Sequence, residues 1–381
     1  MSFTFKDRIS LSIFGSSHGS SVGCVLDGIP AGFRIDESVV NLWMSRRAPG
    51  QSSLTTQRKE TDSVEFLSGI NNAFTDGGPI TMLIRNRDIV EKHYDELKEK
   101  PRPGHGDLSL YYKYGPYRNY SGGGFLSGRM TAPLVAAGSV ALQILTEKDI
   151  QISSYLQSMG NIEIKENRFY DDSEVYERKS RIPDSGSDEM AEGLIRNLQS
   201  SGDSTGGIVK TVVKNVPTGM GEPFFDSVES IISHLVFSVP GVKGIEFGDG
   251  FQLGKMKGSE ANDSFYIDEG TVKSRTNHNG GILGGITYGN GVEFRTVFKP
   301  TSSIRTEQET VDLKNWKTTT LRVQGRHDPC IAIRAVPVVK CVTAISLLDL
   351  YLRKQSAYKG NFINESSYGK YERDQERQGD R

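Results

Sequence analysis

Strand-period and helix-period segments alternate along the whole chain, and no stretch of linker composition divides them. Val292-Glu293-Phe294-Arg295-Thr296-Val297-Phe298-Lys299 has period two, which puts Val292, Phe294, Thr296 and Phe298 on one face of a strand. Residues 208–213 and 331–339 read as further strands. Asp226-Ser227-Val228-Glu229 has the form of a capping box with Asp226 as the cap. Val228, Ile231, Ile232, Leu235 and Val236 then make one apolar stripe. Asp36 opens a similar segment, with Val39, Val40, Leu42 and Trp43 on the buried side. Residues 134–147 and 342–353 are further helix candidates. This interleaving predicts an α+β or layered α/β fold in a single domain of residues 1–365. The polar, charge-rich stretch 366–381 is expected to be a disordered tail.

The bulk numbers exclude several classes. The chain has 381 residues, enough for a sizeable core. Lys and Arg total 46 against 47 Asp and Glu, so nothing in the overall charge favours nucleic acid or a membrane surface. Cys24, Cys330 and Cys341 show no CxxC spacing, which argues against a zinc site or a disulfide framework and suits a reducing cytosol. The N-terminus lacks the apolar run of a signal peptide, and no segment reads as approaching roughly 18 apolar residues, so no membrane span is expected. The 42 glycines follow no period, so solenoid and collagen-like folds fail. They gather instead in short tracts, where backbone must turn tightly or approach a ligand.

Ionisable groups sit inside those tracts. Gly15-Ser16-Ser17-His18-Gly19 gives a histidine and two hydroxyls freedom to meet a ligand, and histidine exchanges protons near neutral pH. Arg102-Pro103-Gly104-His105-Gly106-Asp107 brackets a second histidine with an arginine and an aspartate. Arg46-Arg47-Ala48-Pro49-Gly50-Gln51-Ser52, extended by Thr55-Thr56-Gln57-Arg58, offers guanidinium forks to phosphate or carboxylate oxygens. Gly122-Gly123-Gly124-Phe125-Leu126-Ser127-Gly128-Arg129 leads into an apolar helix, as a phosphate cradle would, without Walker A or Rossmann spacing. Lys299-Pro300-Thr301-Ser302-Ser303 supplies an ammonium and three hydroxyls after a strand. Asn277-His278-Asn279-Gly280-Gly281-Ile282-Leu283-Gly284-Gly285 can lay bare backbone against a flat ring or form a plain hairpin. In Gly325-Arg326-His327-Asp328-Pro329-Cys330, either His327 or Asp328 is a candidate working group. His93 reads as solvent-facing and His234 as structural.

Taken in order, these stretches resemble the chorismate synthase family, from about Gly15 to Arg353. The resemblance implies a β-α-β sandwich and a lyase of the shikimate pathway of aromatic amino acid biosynthesis. Its reaction is the 1,4-elimination of phosphate from 5-enolpyruvylshikimate 3-phosphate to give chorismate, redox-neutral yet dependent on reduced FMN. It also implies a cytoplasmic homotetramer, with electrons supplied through NADPH or a separate flavin reductase. Carried onto this sequence, His18 matches the proton donor to the leaving phosphate, and His105 the histidine that attends the reduced flavin. Asp328 matches the carboxylate of the proton relay. Ser127, His278, Asn279, Gly284, Lys299, Pro300, Thr301, Ser302, Ser303 and Arg326 match cofactor positions. Arg46, Arg47, Arg102 and Arg129 are the substrate cations, with Arg326 a further candidate. No metal is implied.

The sequence departs from the family pattern at a few places. Ser16 stands where the first motif has glutamate. Phe125, Leu126 and Met130 replace residues of the glycine-rich motif, in the manner of one branch of the family. Ser53 replaces an arginine associated with NADPH contact, which bears on whether the chain reduces its own flavin. Two other classes compete. A phosphate-gripping ATP-dependent transferase would suit the glycine tracts and arginines, but no Walker A lysine or kinase catalytic loop is present. An RNA-binding module would need more positive charge than the near-neutral balance gives.

Overall fold

The computed structural model describes residues 3–55, 62–87, 95–119, 121–164, 166, 168–325 and 327–357. The readings made for His93, for Thr56, Gln57 and Arg58, for Arg326 and for residues 366–381 lie outside the described residues.

Two five-stranded antiparallel sheets enclose a layer of helices. The first sheet is built from β1 (Thr4–Lys6), β2 (Ser10–Gly15), β3 (Ser21–Asp27), β4 (Val64–Ser68) and β5 (Ile80–Arg85), in the order β1-β2-β3-β5-β4. The second uses β6 (Gln151–Met159), β7 (Ile162–Glu163), β8 (Gly207–Lys214), β9 (Val242–Phe247) and β10 (Val292–Phe298), in the order β9-β10-β8-β6-β7. In β10 the even positions Val292, Phe294, Thr296 and Phe298 are buried, as the period-two pattern requires.

The helices that bear on the core and the site are α1 (Glu37–Arg47), α2 (Asp107–Tyr114), α3 (Thr131–Glu147), α4 (Val228–Val236) and α5 (Ala332–Ala357), beside others such as Ser185–Ser201. α3 packs on β3 and β5, α5 packs on β6 and β8, and the two helices pack on each other. At their crossing a Cβ on Gly138 would lie 2.4 Å from the Cβ of Cys341, so only glycine permits the approach. Sandwiched in this way, both helices are buried nearly all round and need no polar face. Gly128–Glu147 and Ala332–Gln355 are long and apolar enough to cross a membrane by length and composition, and both are buried inside the protein.

The same burial explains a difference from the sequence reading. Residues 331–339 form the start of α5, not a strand. A short run that is apolar apart from one residue, here Arg334, carries no period that separates a buried helix from a buried strand. At α4 the cap is Ser227, whose Oγ accepts from the Ser230 N–H at 3.1 Å, while Asp226 pairs with Arg353 at 3.2 Å. At α1 the Asp36 carboxylate does cap, accepting from the Ser38 N–H at 2.8 Å. Its buried stripe is Val40, Trp43, Met44 and Arg47, and Leu42 is exposed because it falls off that 3.6-residue stripe.

α5 also carries a buried carboxyl, Asp349, which accepts from the Ile9 N–H at 2.6 Å and from Arg353 Nε at 2.8 Å. Burial pushes its pKa up to about 6. The folded chain therefore holds this proton more tightly than the unfolded chain. The group's contribution to stability is fullest below its ordinary value of 3.8 and is lost as pH rises through about 6. Melting temperatures between pH 4 and 7 should carry this downward term, and the profile of Asp349→Asn should be flatter. An unchanged slope would remove Asp349 as its source.

Candidate active site

The His18 loop joins β2 to β3. Gly15 makes the tight exit with φ +96°, where a Cβ would strike the Ser21 carbonyl oxygen at 2.3 Å. Asn86 braces the loop by donating Nδ2 to the carbonyls of Ser16 (3.0 Å) and Gly19 (2.7 Å). Ser17 is buried, and its Oγ lies 3.0 Å from His18 Nδ1. The Ser17 N–H also reaches the Gly124 carbonyl at 3.5 Å, which ties this loop to the glycine-rich run.

The second loop enters α2. Asp107, in the first turn of α2, accepts from Arg102 Nε (2.7 Å) and Nη2 (2.9 Å) and lies 2.7 Å from His105 Nδ1. Burial raises the Asp107 pKa, but hydrogen bonds from Arg102 and His105 outweigh it and hold the carboxyl well below the usual carboxylate range. Asp107 is thus an acceptor only, so the shorter contact is the one in which His105 Nδ1 donates, and Arg102 Nη2 lies 3.2 Å from the same nitrogen. Gly123 beside this ring takes φ +81°, and a Cβ there would make only ordinary contact with His105 Cε1 at 3.5 Å.

The third segment runs from Ser127 into α3. Ser127 Oγ accepts from the Arg129 N–H at 3.3 Å. Arg129 reaches back to Asn86 Oδ1 at 2.9 Å and pairs with Asp62. Arg47 takes the other Asp62 oxygen at 2.7 Å, and also donates to the Gly128 carbonyl (2.8 Å) and Thr131 Oγ1 (3.0 Å). Burial pushes the Arg47 pKa down to about 10, which still leaves it cationic at neutral pH. Burial raises Asp62, but the two guanidiniums overcome it and lower its pKa.

The fourth segment follows β10. Thr301 Oγ1 donates to the Asp328 carbonyl at 2.7 Å, and Ser303 Oγ accepts from Arg102 Nη1 at 2.9 Å. Lys299 Nζ meets the Gly104 carbonyl and Ser302 Oγ. Asp328 is held by Arg334 at 2.8 Å, and Arg334 also donates to the Arg47 carbonyl at 3.3 Å.

These segments converge on one cavity of about 980 Å³. His18, His105 and Asp328 line it, together with Arg47, Arg102, Arg129, Ser127, Lys299, Pro300, Thr301, Ser302 and Ser303. The structure does not bring four other candidates there. Arg46 lies over Trp43 (4.4 Å) and Tyr176 (4.0 Å) and pairs with Asp172 (3.2 Å). Neighbouring helix positions point roughly 100° apart, so Arg46 and Arg47 face different sides of α1. His278 pairs with Asp249 at 2.5 Å, and Asn279 donates to Asp263 at 2.9 Å, both away from the cavity lining. Gly284 takes φ +59° in the turn between the short strands Ile282–Leu283 and Ile286–Thr287, the plain hairpin alternative.

Asp62, Asn86, Lys243 and Arg334 were not legible as site residues. Arg334 sat in a run read as strand, and Asp62 and Asn86 acquire meaning only through partners distant in sequence. Among the described residues six cations line the cavity: Arg47, Arg102, Arg129, Lys243, Lys299 and Arg334. Three carboxylates stand against them, Asp328 in the wall and Asp62 and Asp107 behind it. Such an excess fits ligands carrying several negative charges. Ile13, Phe125, Leu126, Val239 and Pro240 give the same cavity an apolar wall. No group of three or more His, Cys, Asp or Glu among the described residues is arranged to hold a metal ion.

Comparison with known proteins agrees with this architecture. The family model for chorismate synthase matches residues 9–352. A chorismate synthase of Korarchaeum cryptofilum is 42% identical over 351 residues, covering 92% of this chain and 97% of the relative. One from Archaeoglobus fulgidus is 42% identical over 354 residues, with the same coverage of 92% and 97%. A crystal structure of chorismate synthase superposes with a TM-score of 0.71 at 27% identity, covering 95% of this chain and 97% of the other. With family, relatives and fold in agreement over nearly its whole length, the chain belongs to the chorismate synthase family of lyases.

Proposed function

We propose that the cavity performs the elimination of phosphate from 5-enolpyruvylshikimate 3-phosphate, with reduced FMN bound beside the substrate, within one domain of residues 1–365. The observation that carries this reading is the meeting of His18, His105 and Asp328 with six cations in one cavity. The substrate has a phosphate and two carboxylates, and FMN adds a second phosphate, so the cation excess has a use for both.

The residues present fit FMN. The volume of about 980 Å³ accepts two ligands of this size side by side. The apolar wall with Phe125 and Leu126 suits a flat ring, and Lys299, Thr301, Ser302 and Ser303 suit a phosphate tail. Bound there, reduced FMN would supply the transient electron density that a redox-neutral elimination of phosphate needs.

The chain's own groups do the rest. Arg47, Arg102 and Arg129 hold the substrate's anionic groups. Asp62 fixes two of these guanidiniums, and Asp107 fixes the third. His18 protonates the leaving phosphate, with Ser17 setting its ring. Asp107, 2.7 Å from Nδ1, orients the ring of His105 in the cavity wall beside the bound cofactor. Asp328, oriented by Arg334, carries the substrate proton away. We read the protein as a soluble cytoplasmic homotetramer. Ser53 lacks the cation that the family places there beside NADPH, so a separate reductase is the favoured electron source.

An anaerobic assay with substrate tests the reading. Phosphate should be released with photoreduced FMN and not without it. Absence of release with reduced FMN and folded protein would end the proposal.

A further inference from the structure

Lys243 belongs to none of the sequence stretches that pointed to the site, yet it lines the cavity. It lies in β9, an edge strand of the second sheet. Against β10, Val242 pairs with Phe298 and Gly244 with Val297, so the register slips and Lys243 is the extra residue of a β-bulge. A regular strand would place residue 243 opposite Val297, which faces outward and is partly exposed. The bulge breaks this alternation and re-aims the side chain. It is anchored just upstream, where the Lys299 N–H donates to the Gly241 carbonyl at 3.0 Å. That bond sets the two lysines side by side at one end of the cavity.

No ion pair with a carboxylate is seen for Lys243 or Lys299 among the described residues; Lys299 contacts only the Gly104 carbonyl and Ser302 Oγ. Two neighbouring ammoniums without a counter-charge repel each other unless an anion lies between them. Burial, and then the charge of Lys243, push the Lys299 pKa below its ordinary value, in keeping with that proximity.

We propose that Lys243 is a ligand-binding residue of the cavity, completing with Lys299 and Ser302 a grip for a phosphate monoester dianion. This rests on the functional reading above. Two sources share the chemistry, the phosphate of FMN and the phosphate of the substrate.

Because Lys243 is exposed, Lys243→Met should leave the fold intact. Dissociation constants are measured on the full chain for FMN by fluorescence quenching, for riboflavin in the same way, and for substrate by calorimetry. A roughly tenfold or larger weakening of FMN with riboflavin unchanged assigns the grip to the cofactor. The same weakening for substrate alone assigns it to the substrate's phosphate. Lys243→Arg should recover most of either affinity. Unchanged affinities in Lys243→Met, or equal weakening of FMN and riboflavin, would overturn the proposal. If wild-type protein binds neither phosphate ligand, the functional reading itself fails.

Discussion

Asp62→Asn is expected to lower folding stability by about 3–5 kcal/mol, because it leaves two buried guanidiniums without their shared counter-charge. Arg47 and Arg129 each take one oxygen of this carboxylate, and all three side chains are almost wholly buried. Asp62 has φ +48°, a left-handed conformation that asparagine also tolerates, so the substitution changes charge and not backbone. Denaturant unfolding gives the size of the effect. A second substitution, Arg47→Met, should cost less in the Asp62→Asn background than in wild type, since one stranded cation is removed. Strict additivity of the two would show that the pair does not act as a unit. Substrate affinity should fall as well, because the same two arginines line the cavity.

His18→Ala and His105→Ala should each slow turnover by roughly 10²–10⁴-fold. The two are distinguishable by pH dependence. A general acid must be protonated to act, so wild-type turnover falls as pH rises past the pKa of that group. If His18 protonates the departing phosphate, His18→Ala loses this alkaline fall, whereas His105→Ala keeps it. Single-turnover phosphate release under anaerobic conditions checks both. Near-wild-type rates in a folded variant would withdraw the assigned role.

The elements legible in the sequence were those whose own residues carry the signal. Alternation in Val292–Phe298 and the stripe of Val228–Val236 followed from side-chain geometry and held in the structure. Buried apolar runs were less legible. The start of α5 is buried on nearly every side between two sheets, with Arg334 and Lys340 its only charged residues before Asp349, and periodicity is then weak. The site divides the same way. His18 and His105 stood out because glycines frame them, and a single cavity receives both. Arg46 and Arg47 look alike in sequence, and helix geometry sends only one of them to the cavity. Asp62 and Arg334 have no local mark at all. Their meaning comes from partners such as Arg129 and Asp328, fixed only when the two sheets close on the helices.

The burial of α5 bears on how the molecule assembles. Residues 4–147 supply one sheet with His18, Arg47, Arg102, His105 and Arg129, while the later residues supply the other sheet with Lys243, Lys299, Asp328 and Arg334. The innermost helix is also the last described segment to leave the ribosome. Until it threads between the two halves, each presents an uncovered greasy surface and an incomplete set of charges. Catalytic competence therefore arrives late, in one step with closure of the core, and the nascent polypeptide up to that moment is the form most in need of protection from self-association.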